Sequence, residues 1–175
     1  MLKKQWPAFV LAFLLPLLGV FWWWGGFNAV AVTETEAGPY RYAYLDYEGQ
    51  ISNMRKTQRR ALDEFNAAKV AAGDTISVIL TDPRADRGKV RAQLGYTLAE
   101  NAPLPQGLKE GRIERRPVYS AQVHAAVLLA PSKAYQALSD ALEARRQIIA
   151  MPTVELYRPA GQAYRIGTFT LEMNR

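Results

Sequence analysis

The chain has 175 residues, no cysteine and one histidine, and its 22 basic and 16 acidic residues give a net charge of +6. The length predicts one compact domain with an appendage, and the lack of cysteine excludes disulfides, thiol nucleophiles and cysteine-ligated metals. Basic residues are interleaved with acidic ones and form no stripe that would follow a phosphate backbone, so we expect no nucleic-acid partner. We also predict neither a metal nor a cofactor, because no cluster of ligands has metal-binding spacing.

The first element is an uncharged, mostly apolar run from Pro7 to Val32. Because about 20 apolar residues cross a bilayer as a helix, this run predicts one N-terminal transmembrane helix that contacts the lipid bilayer through residues 8–24. Lys3 and Lys4 precede the run. The positive-inside rule then predicts a single-pass membrane protein with its N-terminus in the cytoplasm and its domain outside, in the periplasm if the source is bacterial.

A second interpretation of the same segment is a signal peptide. Ala29 to Ala31 has the small-x-small form of a cleavage site, and cleavage near Ala31 would release a secreted protein. On either interpretation residues 1–32 are the anchor or signal segment, and residues 33–175 form one domain.

The remainder of the chain alternates between strand-like and helix-like patterns. A polar linker at Thr33–Gly38 comes first. In chain order, the hydrophobic periodicity and the turn residues then predict a strand at Tyr40–Tyr47, a helix from Ser52 to about Ala72, strands at Thr75–Asp82 and Lys89–Leu98, extended sequence at Arg112–Val127, a helix that opens at Pro131 and Ser132, and strands at Thr153–Tyr157 and Ala163–Met173.

This order is strand–helix–strand–strand, twice. Residues 78–81 match residues 154–157, and Pro83 matches Pro159. Such a repeat indicates two supersecondary units that share one core. The predicted fold class is α+β: duplicated units form antiparallel sheets backed by two helices, preceded by the transmembrane helix. The cleft between the units is the natural place for a pocket.

Two segments carry a resemblance to a known family. They are TDPRADRGKVRAQLGYTL and AYQALSDALEARRQIIAMPTVELYRPAGQAYRIGTFTL, with Asp82-Pro83, Glu155 and Tyr157 as their most specific residues. The chain resembles the GyrI-like, or SOUL-type, effector-binding domain of some AraC- and MerR-type regulators. The resemblance implies a domain that binds small molecules.

A membrane-anchored subgroup of that family is more similar still. The similar residues are VYSAQVHAAVLLAPSKAYQALSDALEARR followed by P-x-x-E-L-Y. The subgroup includes a testis-expressed receptor for autophagy of the endoplasmic reticulum. That role is not transferred, because this sequence lacks the long tail with its autophagy-protein motif. The His-x-Gly-Pro-Tyr segment of the soluble members reads here as His124-Ala125-Ala126-Val127-Leu128.

Glu155 is the main candidate for a binding residue. Strand alternation places it on the face opposite Val154 and Leu156, two residues suited to a core, and the repeat aligns it with Ile79. By resemblance, the matching glutamate of GyrI-like regulators lies in the ligand pocket and meets cationic, aromatic compounds. The alternative is a solvated strand residue or an ion-pair partner of Arg165.

Aromatic side chains and the single histidine complete the predicted ligand site. Aromatic faces attract a cation, although tyrosines are also common in cores and a lone histidine is commonly structural. The further candidates are Tyr157, Tyr44, Tyr47, Tyr96, Tyr119, Tyr164 and His124.

The predicted function is the binding of a hydrophobic, aromatic or cationic small molecule by a membrane-anchored domain. One alternative is a protein-interaction adaptor that uses the same cleft for a protein partner. Another is a hydrolase of reactive small molecules with Glu155 as general base. We predict no enzyme, because the sequence has no nucleophile elbow, phosphate-binding glycine loop or metal motif.

Overall fold

The computed structural model describes residues 6–85, 87–161 and 166–175, and these form three α-helices and eight β-strands. The helices are α1 (Trp6–Trp23), α2 (Met54–Ala67) and α3 (Ala130–Glu143). The strands are β1 (Ala31–Ala37), β2 (Tyr40–Gln50), β3 (Thr75–Ile79), β4 (Lys89–Thr97), β5 (Lys109–Ile113), β6 (Arg116–Ala126), β7 (Thr153–Pro159) and β8 (Ile166–Asn174).

All eight strands belong to one antiparallel sheet in the order β1-β6-β8-β7-β3-β4-β2-β5. The two repeats join through β3 and β7, where Thr75 lies opposite Tyr157 and Ile79 lies opposite Thr153. The predicted fold class, with separate sheets and a transmembrane helix, is therefore wrong. In two separate sheets, β3 and β7 would each be an edge strand with unpaired backbone groups on one side. Pairing of β3 with β7 satisfies those groups and joins the halves into one sheet.

The helix α1 nearly coincides with residues 8–24, the span that was predicted to contact the bilayer. The helix α1 ends at Trp23, and a turn follows in which the backbone N–H of Ala126 donates to the carbonyl of Trp24 at 2.8 Å. Among residues 6–85, 87–161 and 166–175, no helix has both the length and the apolar character that a membrane crossing needs.

The predicted transmembrane helix is therefore wrong, and so is the localisation that depended on it, with the N-terminus in the cytoplasm and the domain outside. Contact with a bilayer through residues 8–24 has no support in the structure. Nothing in it supports the alternative of secretion after cleavage near Ala31 either. The boundary between residues 1–32 and 33–175 stays a prediction, and β1 already begins at Ala31.

The helices α2 and α3 pack on the same face of the sheet, one on each half. Their buried residues recur every four positions, as the sequence pattern predicts: Ala61 and Phe65 on α2, and Ala134, Leu138 and Leu142 on α3. The α2 helix ends earlier than predicted, since Lys69 adopts a left-handed conformation with a φ of 55°. The N–H of Val70 then donates to the carbonyl of Phe65, which is a Schellman-type helix end.

Two strands were not predicted. The segment interpreted as a polar linker forms β1, which pairs with β6 and places Val32 opposite Ala121. The strand β5 pairs with β2. Both lie at the edges of the sheet, where polar residues are common and the alternating apolar signal is weak. The predicted beginning of the last strand, at 163–165, lies outside the described residues.

The sheet is strongly curled towards its helix-free face. The hydroxyl of Tyr40 on β2 donates a 2.6 Å hydrogen bond to the carboxylate of Glu172 on β8, although β7, β3 and β4 separate these strands in the sheet. In a flat sheet, four strand spacings would separate them by about 19 Å. The helix-free face therefore encloses a hollow, while the helices cover the opposite face.

Candidate functional site

A cavity of about 550 Å³ lies between the two helices, over the central strands. Its walls are mostly apolar. They are formed by Ile51, Met54, Ile79, Asp82, Pro83, Arg84, Pro131, Ser132, Tyr135, Gln136, Ser139, Ile149, Met151 and Glu155. Both repeats contribute to this wall, as expected for a pocket between two duplicated units.

Glu155 is the polar centre of this cavity. It lies on β7 and is only partly exposed. The hydroxyl of Tyr135, in the second turn of α3, donates a 2.8 Å hydrogen bond to Oε1 of Glu155. The same hydroxyl lies 3.0 Å from the hydroxyl of Thr153, which is fully buried. The carboxylate of Glu155 is thus hydrogen-bonded to α3 through one of its oxygens, Oε1.

The surroundings of Glu155 disfavour its charge. Burial raises its pKa from the ordinary 4.5 to about 7, and the hydrogen bond from Tyr135 offsets part of this effect. Burial, followed by the nearby charge of Glu155, also raises the pKa of Tyr135. Among the described residues, no basic side chain forms an ion pair with Glu155; Arg165, its suggested partner, lies outside them. A cation in the cavity would supply the missing positive charge.

A second carboxylate, Asp82, lies at the rim of the cavity and is already neutralised. It accepts hydrogen bonds from the backbone N–H of Arg84 at 2.8 Å and from its guanidinium at 3.0 Å. These contacts hold the pKa of Asp82 below its usual range. Asp82 and Pro83, which are among the residues that carry the resemblance, both line the cavity. The carboxylate of Asp82, however, forms an ion pair with Arg84.

Seven of the eight predicted binding residues lie in the described part of the chain, and of these only Glu155 lines this cavity. Four tyrosines share its helix-covered face but lie elsewhere. Tyr157 is buried in the α3 core, and Tyr119 lies there under the guanidinium of Arg145, 5.2 Å from the ring centre. Tyr96 packs edge-on against Phe65 in the α2 half.

The fourth of these tyrosines, Tyr47, donates its hydroxyl proton to the carbonyl of Gln50. The remaining two candidates are on the helix-free face: Tyr44 packs against Tyr42, and His124 is exposed and accepts a hydrogen bond from Asn28 through its carbonyl. Tyr164 lies outside the described residues. A ligand-binding role for these six described residues and Tyr164 stays a prediction.

The two faces of β7 are the reverse of those predicted from its apolar residues. Glu155 does point away from Val154 and Leu156, as alternation requires. However, the helix-covered core is on the side of Glu155, whereas Val154 belongs to a smaller apolar cluster on the helix-free face. In the strand register Glu155 lies opposite Ser77 and Ile79 lies opposite Thr153. This reciprocal pairing agrees with the repeat alignment of Glu155 with Ile79, and both residues line the cavity.

Sequence reasoning missed Tyr135 as part of the site. Its spacing in the sequence from Ala134 and Leu138 puts Tyr135 on the same apolar face of the predicted helix. The structure places it on the flank of that face, where its ring packs at the edge of the core and its hydroxyl reaches β7. The one available signal was a polar hydroxyl on an otherwise apolar stripe, since a buried tyrosine hydroxyl needs a partner.

No protein-family model matches the chain, and no curated protein matches it. Solved structures do. The chain is similar to the EcmrR C-terminal domain, with a TM-score of 0.62 and 9% identity over 83% of this chain and 96% of that one. It is also similar to SAV2435 bound to tetraphenylphosphonium, with a TM-score of 0.54 and 12% identity over 82% and 93% of the two chains.

A third structure is EcmrR in a complex with DNA, with a TM-score of 0.61 and 10% identity over 99% of this chain and 68% of that one. At these identities the likeness shows a shared fold, and it is consistent with the GyrI-like fold that the sequence resembles. The DNA is bound by EcmrR and the tetraphenylphosphonium by SAV2435, and neither contact is observed for this chain. The absence of a nucleic-acid partner stays a prediction for this chain.

Proposed function

We propose that this domain binds a hydrophobic small cation in the cavity between α2 and α3, with Glu155 as the charged determinant. The observation that carries the proposal is a carboxylate inside an apolar cavity that no basic side chain of the described residues neutralises. A desolvated carboxylate costs free energy unless a positive charge is brought to it. An apolar cation supplies this charge and fills the cavity at the same time.

The volume and the walls support a ligand of drug-like size. Cavities of about 300–1,000 Å³ with apolar walls and a few polar groups are typical of small-molecule sites, and this one has about 550 Å³. Met54 and Met151 are among its walls, and methionine adapts its shape to different ligands. The tetraphenylphosphonium bound by SAV2435 is an example of the proposed ligand chemistry.

Calorimetry with three probes of related shape tests the proposal. Tetraphenylphosphonium should bind, tetraphenylborate should not, and neutral triphenylphosphine oxide should bind weakly. The Glu155→Gln variant keeps the shape but removes the charge, and it should lose about tenfold or more in affinity for the phosphonium. Equal affinity of both variants for tetraphenylphosphonium would contradict the role of Glu155. If an apolar peptide displaced the probe with higher affinity than any small cation, the protein-interaction alternative would replace the proposal.

A further inference from the structure

The helix-free face contains a second cavity, of about 630 Å³. It shares no lining residue with the cavity of Glu155. The strand β7 lies between the two: Glu155 points to the helix-covered face, whereas Leu156 and Arg158 line the second cavity. Tyr40 and Glu172, which are hydrogen-bonded to each other, are both among its lining residues.

The floor of this cavity is rich in neutral polar groups. Gln122, Thr170 and Leu156 lie side by side on β6, β8 and β7, and the amide of Gln122 donates to the hydroxyl of Thr170 at 3.3 Å. Thr168 and Thr35 add two more hydroxyls. Hydroxyl and amide groups can both donate and accept hydrogen bonds, so they match a ligand that presents both kinds of group.

Charged side chains also line the cavity, but each has a partner. Glu172 pairs with Arg116 at 3.0 Å and accepts the hydroxyl of Tyr40, and Asp74 pairs with Arg158 at 2.6 Å. The other three lining charges have partners that, like Arg116, lie outside the lining. Arg41 pairs with Glu110 at 3.0 Å, and the exposed Glu36 and Glu100 lie 3.9 Å from Arg115 and 3.6 Å from Arg112.

Because all six lining charges are compensated, a charged ligand would lose its hydration here without gaining an unpaired counter-charge. A neutral polar ligand does not carry that cost. Its C–H surface also finds apolar partners, since Leu98, Pro39 and Leu156 line the same hollow. The combination of hydroxyls, an amide, paired charges and small apolar surfaces fits a compound that has many hydroxyl groups and no net charge.

We propose that the helix-free face is a second binding site, for a neutral polyhydroxylated molecule of the size of a mono- or disaccharide. This site is independent of the proposed cation site, and one chain can hold both ligands at once.

Ligand-detected NMR on the full chain, with D-glucose, maltose and trehalose as probes, tests the proposal. At least one probe should show saturable binding, and glucuronate and glucosamine should bind more weakly than the neutral sugar that binds best. Thr170→Val removes one hydroxyl with little change of shape and should weaken binding about threefold to tenfold. Thr33→Val is the matched control, since Thr33 lies exposed on β1 but does not line the cavity.

A second variant, Gln122→Leu, should also weaken binding, and Gln122 is exposed, so its loss should leave the fold intact. Glu155→Gln should leave the affinity for the sugar unchanged while it lowers that for tetraphenylphosphonium. The proposal is overturned if none of the three neutral sugars binds saturably, if Thr170→Val and Thr33→Val have equal effects, or if the charged sugars bind as well as the best neutral one.

Discussion

The hydroxyl of Tyr135 donates a 2.8 Å hydrogen bond to the carboxylate of Glu155, across a separation of 20 residues. This contact links α3 to β7, one of the two central strands. It supports Glu155 from one side in an apolar cavity, and burial nevertheless raises the pKa of Glu155 to about 7. The pH at which this carboxyl ionises therefore lies within the physiological range.

The first prediction concerns stability against pH. The pKa of Glu155 is about 7 in the native state against an ordinary 4.5, so the native state binds more protons between these values and stability falls as pH rises. The wild type should lose about 3 kcal/mol of unfolding free energy between pH 4.5 and pH 7 through this group. Glu155→Gln should not show this loss. Denaturant unfolding of both proteins at pH 5 and pH 8 measures the difference, and parallel pH profiles would contradict the assignment.

The second prediction concerns the pH dependence of binding. A cation requires the ionised form of Glu155, so below pH 7 the carboxyl must release a proton before it can pair with the ligand. The affinity for tetraphenylphosphonium should rise about tenfold per pH unit below pH 7 and level off above it. Calorimetry in two buffers of different ionisation enthalpy should detect the released proton at pH 6. In Glu155→Gln the affinity should be independent of pH over this range.

The third prediction concerns Tyr135. Its hydrogen bond lowers the pKa of Glu155 against the effect of burial, so Tyr135→Phe should raise that pKa further. The pH midpoint of phosphonium binding should move upward accordingly, and stability should fall by about 1 kcal/mol because a buried hydrogen bond is lost. Tyr47→Phe is a suitable control, since that hydroxyl bonds only to a local carbonyl. An unchanged midpoint in Tyr135→Phe would show that the hydroxyl does not act on Glu155.

The fourth prediction concerns the unity of the domain. A fragment that ends near Asn101 keeps β3 but loses its partner β7, and it also loses Glu172, the partner of Tyr40. Its exposed strand edge and small core should prevent cooperative folding. Circular dichroism during thermal melting would test this, with the full chain as the control. A fragment that melts cooperatively would show that the first repeat is an independent unit.

Local patterns account for much of the fold. The four-residue spacing of Ala134, Leu138 and Leu142 predicted α3, and alternation predicted that Glu155 points away from its strand neighbours; both follow from the periods of helix and strand. The edge strand β1 was missed, because an edge strand with a solvated outer side carries little periodic signal. The N-terminal helix lies where the apolar run predicted it, at Trp6–Trp23, but the membrane crossing inferred from its hydropathy is not found among the described residues.

The sequence by itself thus determined the duplicated order of strands and helices and the choice of Glu155 as the candidate charge, because both depend on neighbours along the chain. Only the tertiary structure decided which side of β7 faces the helices, which cavity Glu155 enters, and that Tyr135 meets its carboxylate. It also decided that Tyr40 reaches Glu172 across three intervening strands. These relationships depend on sheet order, strand register and curl, and such long-range pairings leave no periodic trace in the sequence.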